Sequence, residues 1–342
     1  LKSEKRVAFC AAGSGNRGGT GVYVQRLLSG FRREEFKWIV PLGVGGKALP
    51  TRLFQEYGSI PLKAARMGFS AFHLPSFAGG VPIGVKLIVT VHDLAFLAEP
   101  AWFPPLKRMY YRLFFPAVAR KAHKIIVDSD FTGAEAVRLL GVSPEKVRRV
   151  YLSHGSPDGN HLPEFRREWG IHGDYAVCVC TMEPRKNIAS LLDAWRIVIG
   201  LRPDARLVLA GRWGWGTSTL RDALRSRKGV IWTGSLSRSM LTAAIAGARL
   251  LVYPSVYEGF GLPPLEAASL GVPSVLGPAG ALREIYRGVA RFSGGDPGSL
   301  AAALLEEFDT APDPSSLKDF ASAFTDGAMA VNTAAVYREC IE

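Results

Sequence analysis

At 342 residues and 48 % hydrophobic composition, the chain has enough apolar material for about two packed domains. No apolar run reaches the roughly 18 residues of a membrane-spanning helix: the best candidate, Leu241 to Val252, is broken by Arg249, and Leu1-Lys2-Ser3-Glu4-Lys5-Arg6 has no apolar stretch behind its charges, so the chain reads as cytoplasmic without a signal peptide. The net charge of +12 is lopsided, with 23 Lys/Arg against 10 Asp/Glu in residues 1–150 and 19 against 20 in residues 151–342, which points to an anionic surface or substrate as partner of the first half.

The first predicted strand, Arg6–Ala12, runs into Gly13-Ser14-Gly15-Asn16-Arg17-Gly18 and a helix over Gly21–Arg33. That is the GxGxxG spacing of a dinucleotide loop, but such a site needs an acid at the end of the second strand. Here the second strand, Lys37–Leu42, is followed by Gly43-Val44-Gly45-Gly46, and Glu34 and Glu35 come before it. The nicotinamide reading therefore fails. What remains is a glycine loop at a helix start, where backbone N–H groups can approach an oxygen-rich ligand.

A strand-like piece then ends at His73, which either touches an acceptor or caps the packing. Strand Lys86–Val91 leads to His92-Asp93. The segment Phe103 to Lys124 mixes aromatics with Lys107, Arg108, Arg112, Arg120, Lys121 and Lys124, with a helix over Leu106–Ala122. Its aromatics either pack inward, the favoured reading, or face an anionic membrane. Strand Lys124–Val127 is followed by Asp128-Ser129-Asp130, a DxD metal motif in form. Asp130 is read instead as the N-cap of a helix beginning near Phe131, with its helical run over Thr132–Leu140, and no metal is expected. Strand Val147–Leu152 closes the first set.

Ser153 to Trp169 is rich in Gly, Pro, Asp and Asn without a period, and is read as the linker. Strands then recur at Tyr175–Thr181, Ala205–Ala210, Val230–Thr233, Arg249–Tyr253, Pro273–Leu276 and Val289–Phe292. Helices between and after them cover Ile188–Gly200, Ser237–Ala246, Pro263–Leu270, Ala281–Ile285 and Gly298–Phe308. Alternating apolar strands and helices imply parallel sheets covered on both faces. The expected fold is α/β: two Rossmann-like doubly wound domains facing across a cleft. The domains are 1–155, holding the acceptor, and 156–327, holding the donor, with a helix over 328–342 crossing back. The cysteines show no zinc spacing. Cys178 and Cys180, alternating along one strand, are expected on opposite faces as core thiols.

Two loops of the second half carry the chemistry. In Thr181-Met182-Glu183-Pro184-Arg185-Lys186-Asn187 a strand ends and a helix follows, with Asn187 as its N-cap and two cations beside the helix start, a setting for a diphosphate. In Tyr257-Glu258-Gly259-Phe260-Gly261-Leu262-Pro263-Pro264-Leu265-Glu266 a loop enters a helix at proline. The amides of Phe260, Gly261 and Leu262 make an anion site flanked by Glu258 and Glu266.

This Glu258-x7-Glu266 pattern, with Glu183-Pro184-Arg185-Lys186-Asn187 upstream, resembles the retaining glycosyltransferases of family 4, which have the GT-B fold. The likeness extends to Gly18-to-Leu28, to Val89-to-Leu97 and to the run from Ala119 into the linker. It implies a nucleotide-sugar donor and a metal-independent transfer with retention. Glu258 would bond the donor sugar, Glu266 the ribose, and Lys186 and Arg185 the diphosphate, assisted by Gly261 and Leu262. His92 would lie near the anomeric carbon, with Gly19 and Thr20 approaching the diphosphate. Some relatives carry an arginine where this chain has Cys180, and Arg185 or Arg212 would then supply the missing charge. Trp232 to Arg238 and the residues around Arg212 would contact the base. The resemblance is strongest to mannosyl- and rhamnosyltransferases of surface polysaccharide and lipopolysaccharide assembly, which favours GDP-mannose and a glycan or lipid-linked acceptor. UDP- or dTDP-sugar donors, a nucleotide-sugar epimerase or phosphorylase, and a non-catalytic sugar-nucleotide binder are the alternatives. Nucleic acid is not expected, since no helix-turn-helix, zinc or RNA-binding signature is present.

Overall fold

The computed structural model describes residues 5–15, 18–43, 49–76, 79–156, 161–225 and 228–342. The linker positions 157–160, Asn16 and Arg17 of the glycine loop, and Val44-Gly45-Gly46 after the second strand lie outside the described residues. The chain divides into two units. One takes the described residues up to Pro100, then Pro105–Ser153 and Phe324–Glu342; the other takes Ala101–Pro104 and His154–Ala323.

The first unit is built on a wholly parallel six-stranded sheet: β1 Val7–Cys10, β2 Ile39–Leu42, β3 Ala71–Leu74, β4 Lys86–Val91, β5 Lys124–Val127 and β6 Val147–Arg149, in the order β2-β1-β3-β4-β5-β6. The second repeats the plan with β7 Tyr175–Val179, β8 Arg206–Ala210, β9 Val230–Gly234, β10 Leu250–Tyr253, β11 Ser274–Leu276 and β12 Arg291–Phe292, in the order β12-β11-β10-β7-β8-β9. The central strands are fully buried runs such as Val7-Ala8-Phe9-Cys10 and Leu250-Leu251-Val252-Tyr253. Burial on both faces selects such continuous apolar strands over alternating ones.

Three segments differ from the sequence expectation. The linker is shorter, because Leu162–Trp169 forms a helix that buries Phe165 in the second unit. A helical stretch from Leu49 to Arg66 was not foreseen: Leu49–Phe54 and Ile60–Arg66 are joined by one π-helical turn, Gln55–Ser59. The return to the first unit begins at Phe324 rather than at 328, since Thr325 caps helix Asp326–Ile341 by accepting from the Ala328 amide.

That last helix lies against helix Gly19–Arg33 at very close range. A Cβ on Gly30 would stand 2.2 Å from the Asp326 carbonyl, so only glycine fits there. Asp326 accepts from Ser153 Oγ at 2.6 Å, and the Ser153 carbonyl accepts from Arg26. Deeper in, Tyr337 Oη meets His73 Nδ1 at 2.5 Å, while His73 Nε2 meets Thr90 Oγ1 at 2.7 Å. His73 is thus a core residue, not a ligand group. Burial drives its pKa down to about 3, so it stays neutral.

Candidate active site

In the second unit β7 and β10 are neighbours, and from this pair the chain winds to opposite sides of the sheet: β8 and β9 lie beyond β7, β11 and β12 beyond β10. A crevice opens outside the C-terminal strand ends at such a switch point. Both sequence-predicted loops leave from this pair.

After β7 the chain makes a short turn over Pro184–Lys186 before helix Ile188–Leu201. Asn187 does not cap that helix with its side chain, correcting the sequence reading. It sits in the left-handed region at φ 55°, which Asn adopts more readily than most residues, and its Nδ2 donates to the Gly295 carbonyl at 2.7 Å. This reversal turns Arg185 and Lys186 toward the loop after β10, and the Val256 amide donates to the Arg185 carbonyl at 2.9 Å.

Glu258 is the centre of the cluster and is only 6 % exposed. Its Oε1 accepts from Lys186 Nζ and its Oε2 from Arg185 Nη1 at 3.1 Å. Lys186 also donates to Tyr253 Oη at 2.6 Å and stands 4.7 Å from the centre of that ring. Arg185 reaches the Tyr257 carbonyl at 3.2 Å and Glu183 at 3.3 Å. Burial alone would raise the Glu258 pKa. Lys186 and then Arg185 overcome it and hold the carboxyl at about 2. Tyr253 is pushed well above its ordinary value, by burial and then by Glu258, so it remains a neutral phenol. Sequence reasoning missed Tyr253 because its position shows only a strand end.

Glu266, also buried, accepts from Arg238 Nη1 at 2.7 Å. It lies on helix Leu262–Ser269, whose first turn contains Pro263 and Pro264 and so lacks two amides. The amides of Gly261 and Leu262 remain at its start. Gly261 has φ 93°, and a Cβ there would lie 2.5 Å from Leu282 Cδ2; its carbonyl accepts from Tyr286 Oη at 2.6 Å. Phe260 is buried. Arg212 is exposed beyond β8, and its carbonyl accepts from the Met182 amide at 2.9 Å, which sets it beside the β7 loop. Trp213 and Trp232 pair at 5.0 Å, and Trp232 Nε1 donates to the Gly211 carbonyl at 2.9 Å. The four residues Ala101–Pro104 add to the same unit: Trp215 Nε1 donates to the Trp102 carbonyl at 2.5 Å, and the Trp102 ring lies 6.4 Å from Tyr257.

Cys178 and Cys180 correct an expectation. Residues two apart on a strand share a face. Cys178 is in the core, Cys180 packs on the same cluster just past the strand end, and the contact with Cys180, together with burial, raises the Cys178 thiol.

The remaining predicted residues belong to the first unit. Gly19 and Thr20 open helix Gly19–Arg33, with open space before Gly19. His92 follows β4; its Nδ1 faces Asp128 Oδ2 at 2.8 Å and its Nε2 faces the Pro75 carbonyl at 3.0 Å. An acceptor at each ring nitrogen favours the protonated ring. Burial would lower its pKa, but Asp128, helped by Asp93 and the Pro75 carbonyl, outweighs burial and raises it. Asp128 is therefore a histidine partner. Asp130 is not the cap of helix Asp130–Leu140: Ser129 is, accepting from the Thr132 amide at 3.1 Å. Asp130 instead meets Arg149 at 3.2 Å at the surface.

Residues 173–309, within the second unit, match the family described as glycosyl transferases group 1. The chain is 32 % identical over 209 residues to the O-antigen chain mannosyltransferase B of Escherichia coli, covering 58 % of this chain and 55 % of that one. It is 34 % identical over 253 residues to the serotype-specific mannosyltransferase WbdA of Escherichia coli, covering 65 % and 30 %. The chain thus spans about half or less of the length of these curated relatives. Among solved structures, Anabaena HepE in complex with UDP and glucose superimposes with a TM-score of 0.74 at 17 % identity, covering 98 % of this chain and 100 % of that one. The fold is that of the GT-B glycosyltransferases.

Removing one member of a buried ion cluster strands the others, at about 3–5 kcal/mol. Because the Glu258 pKa is depressed, its contribution is full above about pH 4.5 and fades as pH falls toward about 2. The stability gap between wild type and Glu258→Gln is expected to be constant above pH 5 and to shrink by about 3 kcal/mol near pH 2. Urea unfolding followed by tryptophan fluorescence checks this, because six of the seven tryptophans belong to the second unit.

Proposed function

We propose that the chain transfers a hexose, with retention and without a metal, from a nucleoside-diphosphate sugar to a glycan or lipid-linked acceptor. The observation that carries this reading is the buried cluster of Glu258, Lys186 and Arg185 at the β7/β10 switch point. Two preorganised cations suit the charge that develops on a departing diphosphate, commonly the largest catalytic term. Both Glu258 oxygens are occupied by cations, which weakens that carboxylate as a nucleophile and favours attack from the leaving-group side over a covalent intermediate. Once the diphosphate takes the cations, Glu258 is free to accept sugar hydroxyls. Glu266 would exchange Arg238 for ribose hydroxyls, with Gly261 and Leu262 adding amides. The roles proposed for His92 toward a sugar and for Gly19 and Thr20 toward a phosphate rest on the family resemblance. The mannosyltransferase relatives favour a mannose donor, and a further relative, from Corynebacterium glutamicum, is GDP-mannose-dependent by name.

Ligand binding raises the unfolding temperature by mass action. GDP is expected to give the largest shift among GDP, UDP, ADP, CMP and dTDP, unchanged by chelator, and GDP-mannose turnover is expected to fall at least about 100-fold in Glu258→Ala. A larger shift with UDP or dTDP replaces the donor sugar. Loss of activity in chelator, restored by Mn²⁺, refutes metal independence.

Among the described residues no helix is long and apolar enough to cross a membrane. Helix Pro105–Lys121, however, turns Leu106, Met109, Leu113 and Phe114 outward beside Lys107, Arg108 and Arg112, and Phe54 is exposed in the same unit. The inward packing of aromatics favoured from sequence holds for Phe115 but not for Phe114. We propose peripheral contact with anionic lipid through this face. Binding to phosphatidylglycerol vesicles at low salt, lost in Leu113→Ser/Phe114→Ser, is the expected result; no pelleting of the wild type removes the idea.

A further inference from the structure

The first unit has a switch point of its own. β1 and β3 are neighbours, with β2 beyond β1 and β4, β5 and β6 beyond β3. The ligand crevice of such a sheet lies outside the C-terminal ends of that pair. The stretch Leu49–Arg66 closes over those ends, and its π-helical turn Gln55–Ser59 lies among them. The Ile60 amide donates to the Gln55 carbonyl, the wide spacing that defines the turn. Past β2, a Cβ on Gly43 would come within 2.4 Å of Ile60 Cδ1. Past β3, the Gly80 amide donates to the Glu56 carbonyl at 2.8 Å, and a Cβ on Gly80 would lie 2.5 Å from the Tyr57 carbonyl. Past β1, a Cβ on Gly13 would have one neighbour within 4 Å, Glu56 Oε1 at 4.0 Å. The Glu56 carboxylate is thereby aimed at the bare backbone of the glycine loop.

This carboxylate is incompletely used. Glu56 is 6 % exposed; its Oε1 stands 3.4 Å from Arg52 Nε, without a hydrogen bond. Its Oε2 is buried and has no hydrogen-bond partner among the described residues, and the same holds for Gln55 Oε1. Burial raises the Glu56 pKa against the pull of Arg52, as expected of a carboxyl kept from water. A buried acceptor left without a donor is costly, so two on adjacent residues are a reservoir that a ligand can relieve. π-turns inside α-helices occur frequently at functional sites. The chemistry of the ligand follows from the atoms. Both free groups are acceptors, so the ligand brings donors. Arg52 offsets the carboxylate charge, so a cation gains little, and an anion has no donor to meet at two acceptors. A neutral, hydroxyl-rich molecule is what remains.

We propose that Glu56 and Gln55 form a hydroxyl-recognising subsite for the acceptor saccharide at the β1/β3 switch point. This rests on the reading of the chain as a transferase with a glycan acceptor.

The test is thermal unfolding of the wild type, Glu56→Gln and Glu56→Ala with the methyl glycosides of mannose, rhamnose, glucose, galactose and N-acetylglucosamine. Each is used at roughly 100 mM against equimolar betaine, and GDP is run in parallel. At least one glycoside is expected to raise the wild-type midpoint by roughly 2–4 °C. The shift is expected to be reduced in Glu56→Gln and absent in Glu56→Ala, with the GDP shift equal in all three. No glycoside shift in the wild type, or a shift that survives Glu56→Ala, overturns the subsite. Absence of the GDP shift in all three proteins strikes the donor reading of the second unit instead and leaves the Glu56 result standing.

Discussion

Everything assigned to the second unit turns on one buried carboxylate shared by two cations. Glu258 is nearly sealed from water, where a lone charge would be untenable, and it keeps its charge only because Lys186 and Arg185 each take one oxygen. The dependence is mutual. Lys186 is itself buried, and Tyr253 adds both an oxygen and a ring face to hold it. Such a cluster is a poor device for stability, because the desolvation cost rivals the attraction. It would be a good device for anion exchange: a diphosphate would offer the same cations more oxygens and more charge, and would release the carboxylate toward hydroxyls. Glu266 and Arg238 repeat the arrangement on a neighbouring helix, with the cation half-exposed and so easier to displace.

Topology places these groups before any side chain is considered. In each sheet the winding reverses once, between β1 and β3 in the first unit and between β7 and β10 in the second. In the second unit the reversal gathers Lys186 and Glu258 from distant parts of the chain. In the first it gathers the glycine loop, the Gly79-Gly80 segment and Glu56. Both crevices are lined by carboxylates, but these differ in how far they are satisfied. Glu258 has both oxygens engaged; Glu56 has one oxygen free. A satisfied carboxylate suits a site that trades partners with a charged ligand. A half-satisfied one suits a site that receives neutral hydroxyls.

What could be read from the sequence was whatever has a local signature. Apolar strands bounded by turns gave the two sheets, and the loops Glu183-to-Asn187 and Glu258-to-Leu262 could be placed at strand ends because strand, turn and helix signals adjoin there. The readings that failed depended on geometry that neighbours impose. No reading was made for Leu49–Arg66, where two short helices meet at a π-helical turn, so Glu56 stayed hidden. Asn187 has the composition of a cap, but a left-handed backbone spends its side chain on Gly295. Asp130 has the same composition, and Ser129, one residue earlier, does the capping. His73 was open between acceptor contact and packing, and Tyr337, from the far end of the chain, meets it in the core. No single-sequence pattern encodes the pairing of Arg238 with Glu266.

The exchange of ion partners at Glu258 is the central claim, and calorimetric titration of GDP into Glu258→Gln and Lys186→Met tests it most directly. If the carboxylate competes with the diphosphate for the cations, Glu258→Gln binds GDP at least as tightly as the wild type, and Lys186→Met binds it about 10- to 100-fold more weakly. If both variants lose affinity in parallel, or Lys186→Met binds as the wild type does, the cations of this cluster are not the diphosphate site.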